Sequence, residues 1–109
     1  MVNLIRITDP TDIRLQKLIS LYEEAFPEEE RRKIKQLKRL ISERSEMYFN
    51  AIETDGILAG LFIYWDMQDF YYLEHLAVFT PMRNLKVGQQ VLDYIAEHVT
   101  GMRLLVVEP

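Results

Sequence analysis

Residues 72–92 read YLEHLAVFTPMRNLKVGQQVL, and this stretch decides the fold because its pattern changes from strand to helix across a short loop. Up to Phe79 the residues are mostly apolar and aromatic, as in a β-strand. After Pro81 the aliphatic residues recur at helical spacing and fall on one side of a helix: Val87, Val91, Leu92, Ile95 and Val99. The stretch therefore predicts a strand, a loop and a helix.

A helix that begins just after a strand is a candidate anion site. Its first backbone N–H groups lack intrahelical partners and, together with the helix dipole, they favour phosphate. Gly88 lets a ligand approach the backbone closely, while Arg83 and Lys86 add positive charge for a pyrophosphate. Alternatively, Gly88 only allows the helix to pack tightly on the sheet. The spacing alone leaves both interpretations open.

The C-terminal run Arg103–Val107, RLLVV, is almost wholly apolar. Such a run suits a strand buried on both faces, as in a parallel pair joined by a crossover helix. Thr100 and Gly101 supply a stop for the preceding helix. The chain is thus predicted to end with strand, loop, helix and parallel strand.

Upstream, the pattern predicts a short strand and two helices. Leu4–Ile7 is the strand, and Asp9 is expected to cap a first helix with Pro10 in its first turn. Pro27 ends that helix. A second, amphipathic helix is predicted from about Glu29 to Arg44.

Three further strands, Met47–Glu53, Ile57–Trp65 and Phe70–Phe79, are predicted to form an antiparallel meander. The Asp55-Gly56 pair favours a tight hairpin between the first two. Gly60 marks a bulge or a close backbone approach, or is an ordinary packing glycine.

Basic residues gather on one side of the second predicted helix: Arg31, Lys35, Lys38 and Arg39. They attract an anionic ligand or partner, or they form a solvated face that nearby glutamates balance. A nucleic-acid binder would rest on these residues only. The net charge of -4 argues against it.

Composition limits the chemistry further. The 109 residues, 49% of them hydrophobic, suit one globular domain spanning 1–109. The absence of cysteine excludes disulfides, a thiolate nucleophile and cysteine-ligated metal sites, and two distant histidines give little support to any metal site. The N-terminus lacks the apolar core of a signal peptide and no apolar run reaches membrane-spanning length. We therefore expect a cytoplasmic protein with no metal, nucleic-acid or membrane partner.

The element order β-α-α-β-β-β-α-β and the loop sequence together resemble the GNAT family of N-acetyltransferases, over essentially the whole chain. The family's pyrophosphate loop is usually Arg or Gln, two residues of any kind, Gly, any residue, and then Gly or Ala. Residues Arg83–Gly88, RNLKVG, occupy those six positions, with Lys86 where Gly is usual. The preceding Leu76-Ala77-Val78 is similar to the family's strand ending.

The resemblance implies an α/β (α+β) fold with a GNAT-like mixed sheet, in which an antiparallel meander is followed by a parallel βαβ pair. It also implies acetyl-CoA as cosubstrate, with the backbone of Leu76, Ala77 and Val78 paired to the pantetheine arm. A bulge at the end of that strand would splay it from the last strand. The residues expected to hold the pyrophosphate are those of the loop and the helix start: Arg83, Asn84, Leu85, Lys86, Val87, Gly88 and Gln89.

The chemistry implied is direct attack of a primary amine on the acetyl thioester, which needs a base to take a proton. Glu74 is the predicted catalytic residue, because YLEHLAV is similar to the YLED strand of polyamine-type acetyltransferases. Its alternative is an ordinary surface carboxylate. His75 is a second candidate, but neighbouring strand residues point to opposite faces, so both enter one cleft only if the strand has a bulge.

The resemblance also locates the acceptor site, at the turn between the first two helices. The residues implied there are Phe26, Pro27, Glu30 and Arg31. Four aromatic residues form a wall of this site or, alternatively, belong to the packing of the meander: Tyr64, Trp65, Tyr71 and Tyr72.

Family members usually continue past the strand represented by Arg103–Val107 into a helix and two more strands, which carry a tyrosine proposed to protonate the departing thiolate. By the resemblance, this chain lacks that C-terminal part and leaves a strand edge open for pairing. Two functions of different class are therefore expected. One is an N-acetyltransferase acting on a small-molecule or peptide amine; the other is a noncatalytic GNAT-like module that forms a homodimer or binds a partner through this edge.

Overall fold

The computed structural model describes residues 1–98 and, as backbone, residues 103–106. The elements follow one another in the predicted order. The strands are Val2–Arg6 (β1), Met47–Thr54 (β2), Ile57–Asp66 (β3), Phe70–Val78 (β4) and Arg103–Val106 (β5), and the helices are Leu15–Ala25 (α1), Ile34–Glu43 (α2) and Val87–His98 (α3). The predicted helix stop at Thr100 and Gly101 lies outside the described residues.

All five strands form one sheet in the order β1-β2-β3-β4-β5. The first four are antiparallel, whereas β4 and β5 run parallel, with Phe70 opposite Arg103 and Leu73 opposite Val106. This confirms the predicted mixed sheet, in which a meander is followed by a parallel pair joined through α3.

Helices α1 and α2 cover one face of the sheet, which we call the α1 face, and α3 covers the other. The largest fully buried side chains on the α1 face are Tyr22 and Phe49, while Phe62 is the largest on the α3 face. Burying an aromatic or branched aliphatic side chain of this size contributes roughly 1.5–3 kcal/mol. The sheet is therefore held between two apolar layers, and each layer fixes one side of β4.

The β2–β3 hairpin and Gly60 behave as the sequence indicates. Asp55 and Gly56 have φ angles of 51° and 79°, as a two-residue turn of the hairpin type requires. Gly60 has both predicted features. A bulge precedes it at Ala59, and a Cβ added to Gly60 would come within 2.1 Å of the Ala77 carbonyl oxygen of β4. Glycine is thus required where β3 and β4 approach each other.

The predicted cap of α1 at Asp9 is wrong. Its carboxylate accepts hydrogen bonds from the backbone N–H and the hydroxyl of Thr11, at 2.8 and 2.7 Å, and so closes a turn instead. A second turn follows, in which Asp12 accepts from the Arg14 backbone N–H at 2.9 Å. The helix begins only after these turns, at Leu15.

Helix α2 begins at Ile34 and not near Glu29. Residues Glu28–Glu30 form a single 3₁₀ turn, and the Arg32 backbone N–H then donates to the Tyr22 hydroxyl at 2.7 Å. This tertiary bond holds the backbone outside a helix. Arg31 consequently does not belong to the basic side of α2.

Candidate functional site

A bulge interrupts β4 at Glu74. In the pairing with β3, His75 lies opposite Ile63 and Leu73 lies opposite Tyr64, so Glu74 is the extra residue. Parallel pairing with β5 covers Phe70–Leu73 in the described part of the chain. The bulge lies inside β4, one residue past the described pairing with β5, rather than at the predicted place near the end of β4.

Because of this bulge, Glu74 and His75 both project toward the α1 face. The Glu74 Oε2 and His75 Nε2 atoms are 3.8 Å apart, and the two side chains are 7% and 9% exposed. The bulge thus places both side chains on the same face of the sheet, which regular alternation along a strand would not do.

The Glu74 carboxylate is held by two other elements. Arg32 donates to Oε1 at 2.7 Å and to Oε2 at 3.2 Å, and the indole N–H of Trp65 donates to Oε1 at 3.0 Å. The alternative that Glu74 is an ordinary surface carboxylate is wrong, since its side chain is only 7% exposed and both partners bind its carboxylate. We call Arg32, Trp65, Glu74 and His75 the Glu74 cluster.

His75 lies against two aromatic rings of α1 and its C-terminal end. The ring centroid of Phe26 is 4.3 Å from that of the imidazole, and Tyr22 meets it edge-on at 5.2 Å. Burial lowers the pKa of His75 below its usual value, and Arg32 lowers it further, while Glu74 raises it. The imidazole is therefore in its neutral form near pH 7.

The connection between α1 and α2, residues 26–33, contacts the Glu74 cluster directly. Phe26 packs on His75, the backbone of Glu30 lies close enough to raise the pKa of His75, and Arg32 binds Glu74. Arg31, which the resemblance places near the acceptor, pairs with Glu23 at 3.7 Å. Sequence reasoning missed Arg32, because nothing in the sequence links it to a partner so far along the chain.

The four aromatic residues of the meander are divided between the two faces of the sheet. Trp65 lies on the α1 face, and Tyr72 is opposite it in register. Tyr64 belongs to the core on the α3 face, where it stacks on Tyr48 at 4.7 Å and meets Tyr71 edge-on at 5.3 Å. Only Trp65 and Tyr72 can therefore line a cleft on the α1 face.

Beyond Leu73, β4 presents backbone groups on the side away from β3. The Phe79 N–H donates to the Ala59 carbonyl of β3 at 2.9 Å, and strand groups alternate in direction. Ala77 therefore also faces β3, while Leu76 and Val78 face the opposite edge. Among the residues that the structure describes, no strand pairs with this edge of 76–78.

The segment after β4 bends back toward this edge before α3 begins. A 3₁₀ helix, Thr80–Leu85, is followed by Lys86 in the left-handed conformation, at φ 55°. Arg83, from the 3₁₀ helix, donates through Nε to the Val78 carbonyl at 3.0 Å. The loop and the edge of β4 are thus adjacent parts of one surface.

The start of α3 provides the predicted backbone donors. The Gln90 N–H makes a bond of 3.1 Å to the Lys86 carbonyl, so the N–H groups of Val87, Gly88 and Gln89 precede the first helical bond. A Cβ at Gly88 would lie 3.7 Å from Leu76 Cδ2, which is an ordinary contact. Tight packing therefore does not by itself require glycine at this position. Asn84, Leu85 and Lys86 are exposed beside these groups.

The part of the chain that the structure describes has neither a metal-binding cluster nor a membrane-spanning helix. In residues 1–98 and 103–106, no three His, Asp or Glu side chains come together as a metal would require. Within the same residues, no helix has the length and apolarity needed to cross a bilayer.

Comparison with known proteins gives the same assignment as the fold. The family model for the Acetyltransferase (GNAT) family matches residues 15–108. A protein from Bacteroides thetaiotaomicron assigned to the GNAT acetyltransferases superposes with a TM-score of 0.83 at 28% identity, over 100% of this chain and 61% of its own. This chain thus spans less than two thirds of the length of that protein.

Two more distant structures share the fold alone. An integron cassette protein from V. cholerae has a TM-score of 0.64 at 18% identity, covering 99% of this chain and 75% of its own. A ribosomal-protein-alanine N-acetyltransferase from Brucella melitensis biovar Abortus 2308 has a TM-score of 0.51 at 15% identity, with coverages of 99% and 79%. Comparison with curated proteins gave no match. The family match over most of the sequence, together with the shared fold, shows that this chain belongs to the GNAT family of acetyltransferases.

Proposed function

We propose that this chain binds acetyl-CoA and transfers the acetyl group to a primary amine. The observation that carries the proposal is the continuity between two sets of backbone groups that no described strand or helical bond uses, apart from the Val78 carbonyl, which accepts from Arg83. The edge of β4 at Leu76 and Val78 leads directly to the N–H groups at the start of α3. An extended arm with two amides and a pyrophosphate at its end has the shape and polarity that this surface requires. Membership of the GNAT family supports acetyl transfer in general.

Leu76 and Val78 would pair with the pantetheine amides, as a neighbouring strand would. The N–H groups of Val87, Gly88 and Gln89 would donate to the pyrophosphate, where the dipole of α3 favours negative charge. These residues bind and orient the cosubstrate but take no part in bond making.

Two basic side chains and two exposed neighbours complete the proposed cofactor surface. Arg83 would exchange its bond to the Val78 carbonyl for one to phosphate. At the position of Lys86 the family usually has glycine, whose backbone contacts the phosphate closely. The Lys86 ammonium group would replace part of that contact. Asn84 and Leu85 lie between them in the exposed loop. The positive charge is thus concentrated where the proposed ligand is most negative.

The Glu74 cluster lies on the same strand, at the bulge immediately before this edge. It brings a carboxylate and a neutral imidazole to the α1 face, under the connection between α1 and α2. Acetyl-CoA supplies an activated acyl group, so the protein has to bind the amine and remove a proton from it. The absence of cysteine agrees with direct attack by the amine, without an enzyme thioester.

Isothermal titration calorimetry with acetyl-CoA tests the proposal. We expect the unaltered chain to bind, and Arg83→Gln to lose several-fold in affinity, since a charge-assisted contact contributes about 1 kcal/mol or more. Lys38→Gln removes a positive charge from α2, away from the proposed site, and should bind as the unaltered chain does. A folded sample that shows no binding at millimolar acetyl-CoA would count against the whole proposal.

Turnover is tested separately, by release of free thiol from acetyl-CoA in the presence of a panel of primary amines. The panel should include an alkylamine, a diamine, an amino acid and a short peptide with a free N-terminus. Amine-dependent thiol release with formation of the N-acetyl product supports transfer. Binding without release for any amine would favour the noncatalytic alternative.

That alternative is a GNAT-like module that forms a homodimer or binds another protein through a strand edge. The edge that this alternative requires is that of the C-terminal strand, and within the described residues β5 lies at the edge of the sheet. Light scattering over a range of concentrations distinguishes a module that forms a homodimer from one that binds another protein. A protein that stays monomeric at high concentration contradicts dimerisation through the edge.

A further inference from the structure

The Glu74 carboxylate is poorly placed to accept a substrate proton. Its Oε1 atom already accepts from Arg32 and from Trp65, and Oε2 accepts from Arg32. A carboxylate that receives both donors of a guanidinium has its charge matched by that partner. Both oxygens of Glu74 are thus already occupied by donors from the protein.

His75 has the complementary properties. Its Nε2 lies 3.8 Å from the Glu74 Oε2 atom, too far for a hydrogen bond but close enough for an ion pair once the ring is protonated. The groups that face it are Glu74 on β4, Tyr22 on α1, and Phe26, Glu30 and Arg32 in the connection. Burial and Arg32 lower the pKa of His75, so the ring is neutral and able to take a proton near pH 7.

We propose that His75 is the proton acceptor of the transfer reaction, and that Glu74, held by Arg32 and Trp65, is the anion that stabilises the resulting imidazolium. This assignment rests on the proposed function and reverses the roles that the sequence suggests for the two residues. Arg32 and Trp65 act through Glu74 and are positioning residues.

The acceptor enters as an ammonium ion and gives one proton to His75. The free amine then attacks the thioester carbonyl, so that a C–N bond forms and the C–S bond breaks. A second proton from the nitrogen ends on the departing sulfur as the thiol, the third stays on the amide, and His75 returns its proton to water.

The dependence of kcat/KM on pH tests the assignment, with thiol release as the assay. We expect an acid limb, because protonation of His75 removes the acceptor. His75→Gln should abolish this limb and lower kcat/KM by about 10²–10⁴-fold, while the affinity for acetyl-CoA stays within about twofold of the unaltered value. Glu74→Gln should move the limb to lower pH and Arg32→Gln should move it to higher pH, since they remove opposite charges beside the ring.

A variant of the Glu74 cluster could fail to fold. A second measurement therefore uses a protein in which this cluster is intact. The chain has two histidines, so His98→Gln leaves His75 as the sole imidazole in a proton NMR titration. Its midpoint should coincide with the acid limb of kcat/KM. A midpoint that differs clearly from the limb overturns the proposal.

The kinetic outcome that overturns the proposal is equally specific. If His75→Gln retains the rate and the acid limb while Glu74→Gln loses both, then Glu74 is the base. Failure of the unaltered chain to bind acetyl-CoA would instead contradict the proposed function, so the two failures are distinguishable.

Discussion

Arg32 and Glu74 are joined by two hydrogen bonds, at 2.7 and 3.2 Å, across 42 positions of sequence. The pair ties the connection between α1 and α2 to the bulge of β4. Trp65 completes the arrangement from β3, with its ring 5.4 Å from the Arg32 guanidinium carbon. One contact therefore supports both the fold of the α1 face and the geometry of the proposed acid–base residues.

Arg32→Gln should lower the free energy of unfolding by about 2–3 kcal/mol. Removal of one partner from a fully buried pair costs about 3–5 kcal/mol. The cost is smaller here because Arg32 is 30% exposed, although Glu74 is only 7% exposed. Chemical denaturation near pH 7 measures the change.

Arg39→Gln is the matched control for this prediction. Arg39 pairs with Glu43 at 3.8 Å on the surface of α2, and an exposed pair of this kind contributes less than about 0.5 kcal/mol. If Arg32→Gln and Arg39→Gln lower the free energy of unfolding equally, the Arg32–Glu74 pair contributes no more to stability than an exposed pair. The double variant Arg32→Gln with Glu74→Gln should recover part of the loss, since it leaves no unpaired charge.

Stability should depend on pH through His75. In the unfolded chain this residue titrates near its usual pKa of 6.5, whereas burial lowers the pKa in the folded protein. Between those two values the unfolded chain binds more protons, so the free energy of unfolding falls as the pH is lowered through about 6.5. The loss levels off below the folded pKa.

Urea denaturation at intervals between about pH 5 and pH 8 measures this dependence. In His75→Gln the contribution of this residue disappears, so the free energy of unfolding should fall less over the same interval. Identical slopes for the variant and the unaltered chain would contradict the pKa direction assigned to His75.

Gly60→Ala and Gly88→Ala should have opposite effects on stability. At Gly60 the new methyl group meets the Ala77 carbonyl oxygen at 2.1 Å, and a backbone atom cannot move aside cheaply. We expect a loss of about 1–3 kcal/mol or more. At Gly88 the contact of 3.7 Å is an ordinary one, and alanine in a helix is favoured over glycine by up to about 1 kcal/mol.

The same pair of variants separates folding from binding. Gly88→Ala should unfold at higher denaturant concentration and yet bind acetyl-CoA more weakly, if glycine is retained for close approach of the pyrophosphate. Unchanged affinity in Gly88→Ala would remove Gly88 from the proposed cofactor surface.

Several features of the fold were predictable because each depends on local sequence pattern. The apolar runs of the middle strands, the Asp55-Gly56 turn and the apolar run Arg103–Val107 indicated the antiparallel meander and the parallel pair. Helix starts were predicted less well. Asp9 has the chemistry of a cap, but Thr11 uses its carboxylate, and the start of α2 depends on a bond between Arg32 and Tyr22 that only the folded chain brings together.

The candidate site was also predicted only in part, because some of its features depend on tertiary contacts. The loop and Glu74 were found through a recurring local pattern, whereas the bulge at Glu74 has no glycine or proline to mark it. Arg32 lies in a run of charged residues that reads as a solvated helix face. Its role arises only when the connection folds over β4, because a tertiary ion pair has no signature in the sequence around either partner.

Substitutions of Lys86 test how the loop would bind the pyrophosphate, because the backbone conformation and the charge of this residue can be changed separately. Its φ of 55° costs a residue with a Cβ about 1–2 kcal/mol, and glycine avoids this cost. Lys86→Gly should therefore stabilise the chain by up to about 1 kcal/mol after the greater freedom of unfolded glycine is subtracted. Lys86→Ala loses the same charge but keeps the strained conformation, so it should not be stabilised.

Calorimetry with acetyl-CoA on these two variants then assigns the role of the side chain. If the Lys86 ammonium contacts the pyrophosphate, both variants should bind about five- to tenfold more weakly, with a reduced dependence on salt. If the backbone limits the approach of the ligand, Lys86→Gly should bind more tightly than Lys86→Ala. Affinities equal to that of the unaltered chain in both variants would show that Lys86 contacts no part of the ligand and that this position tolerates departure from the family's glycine at a cost in stability alone.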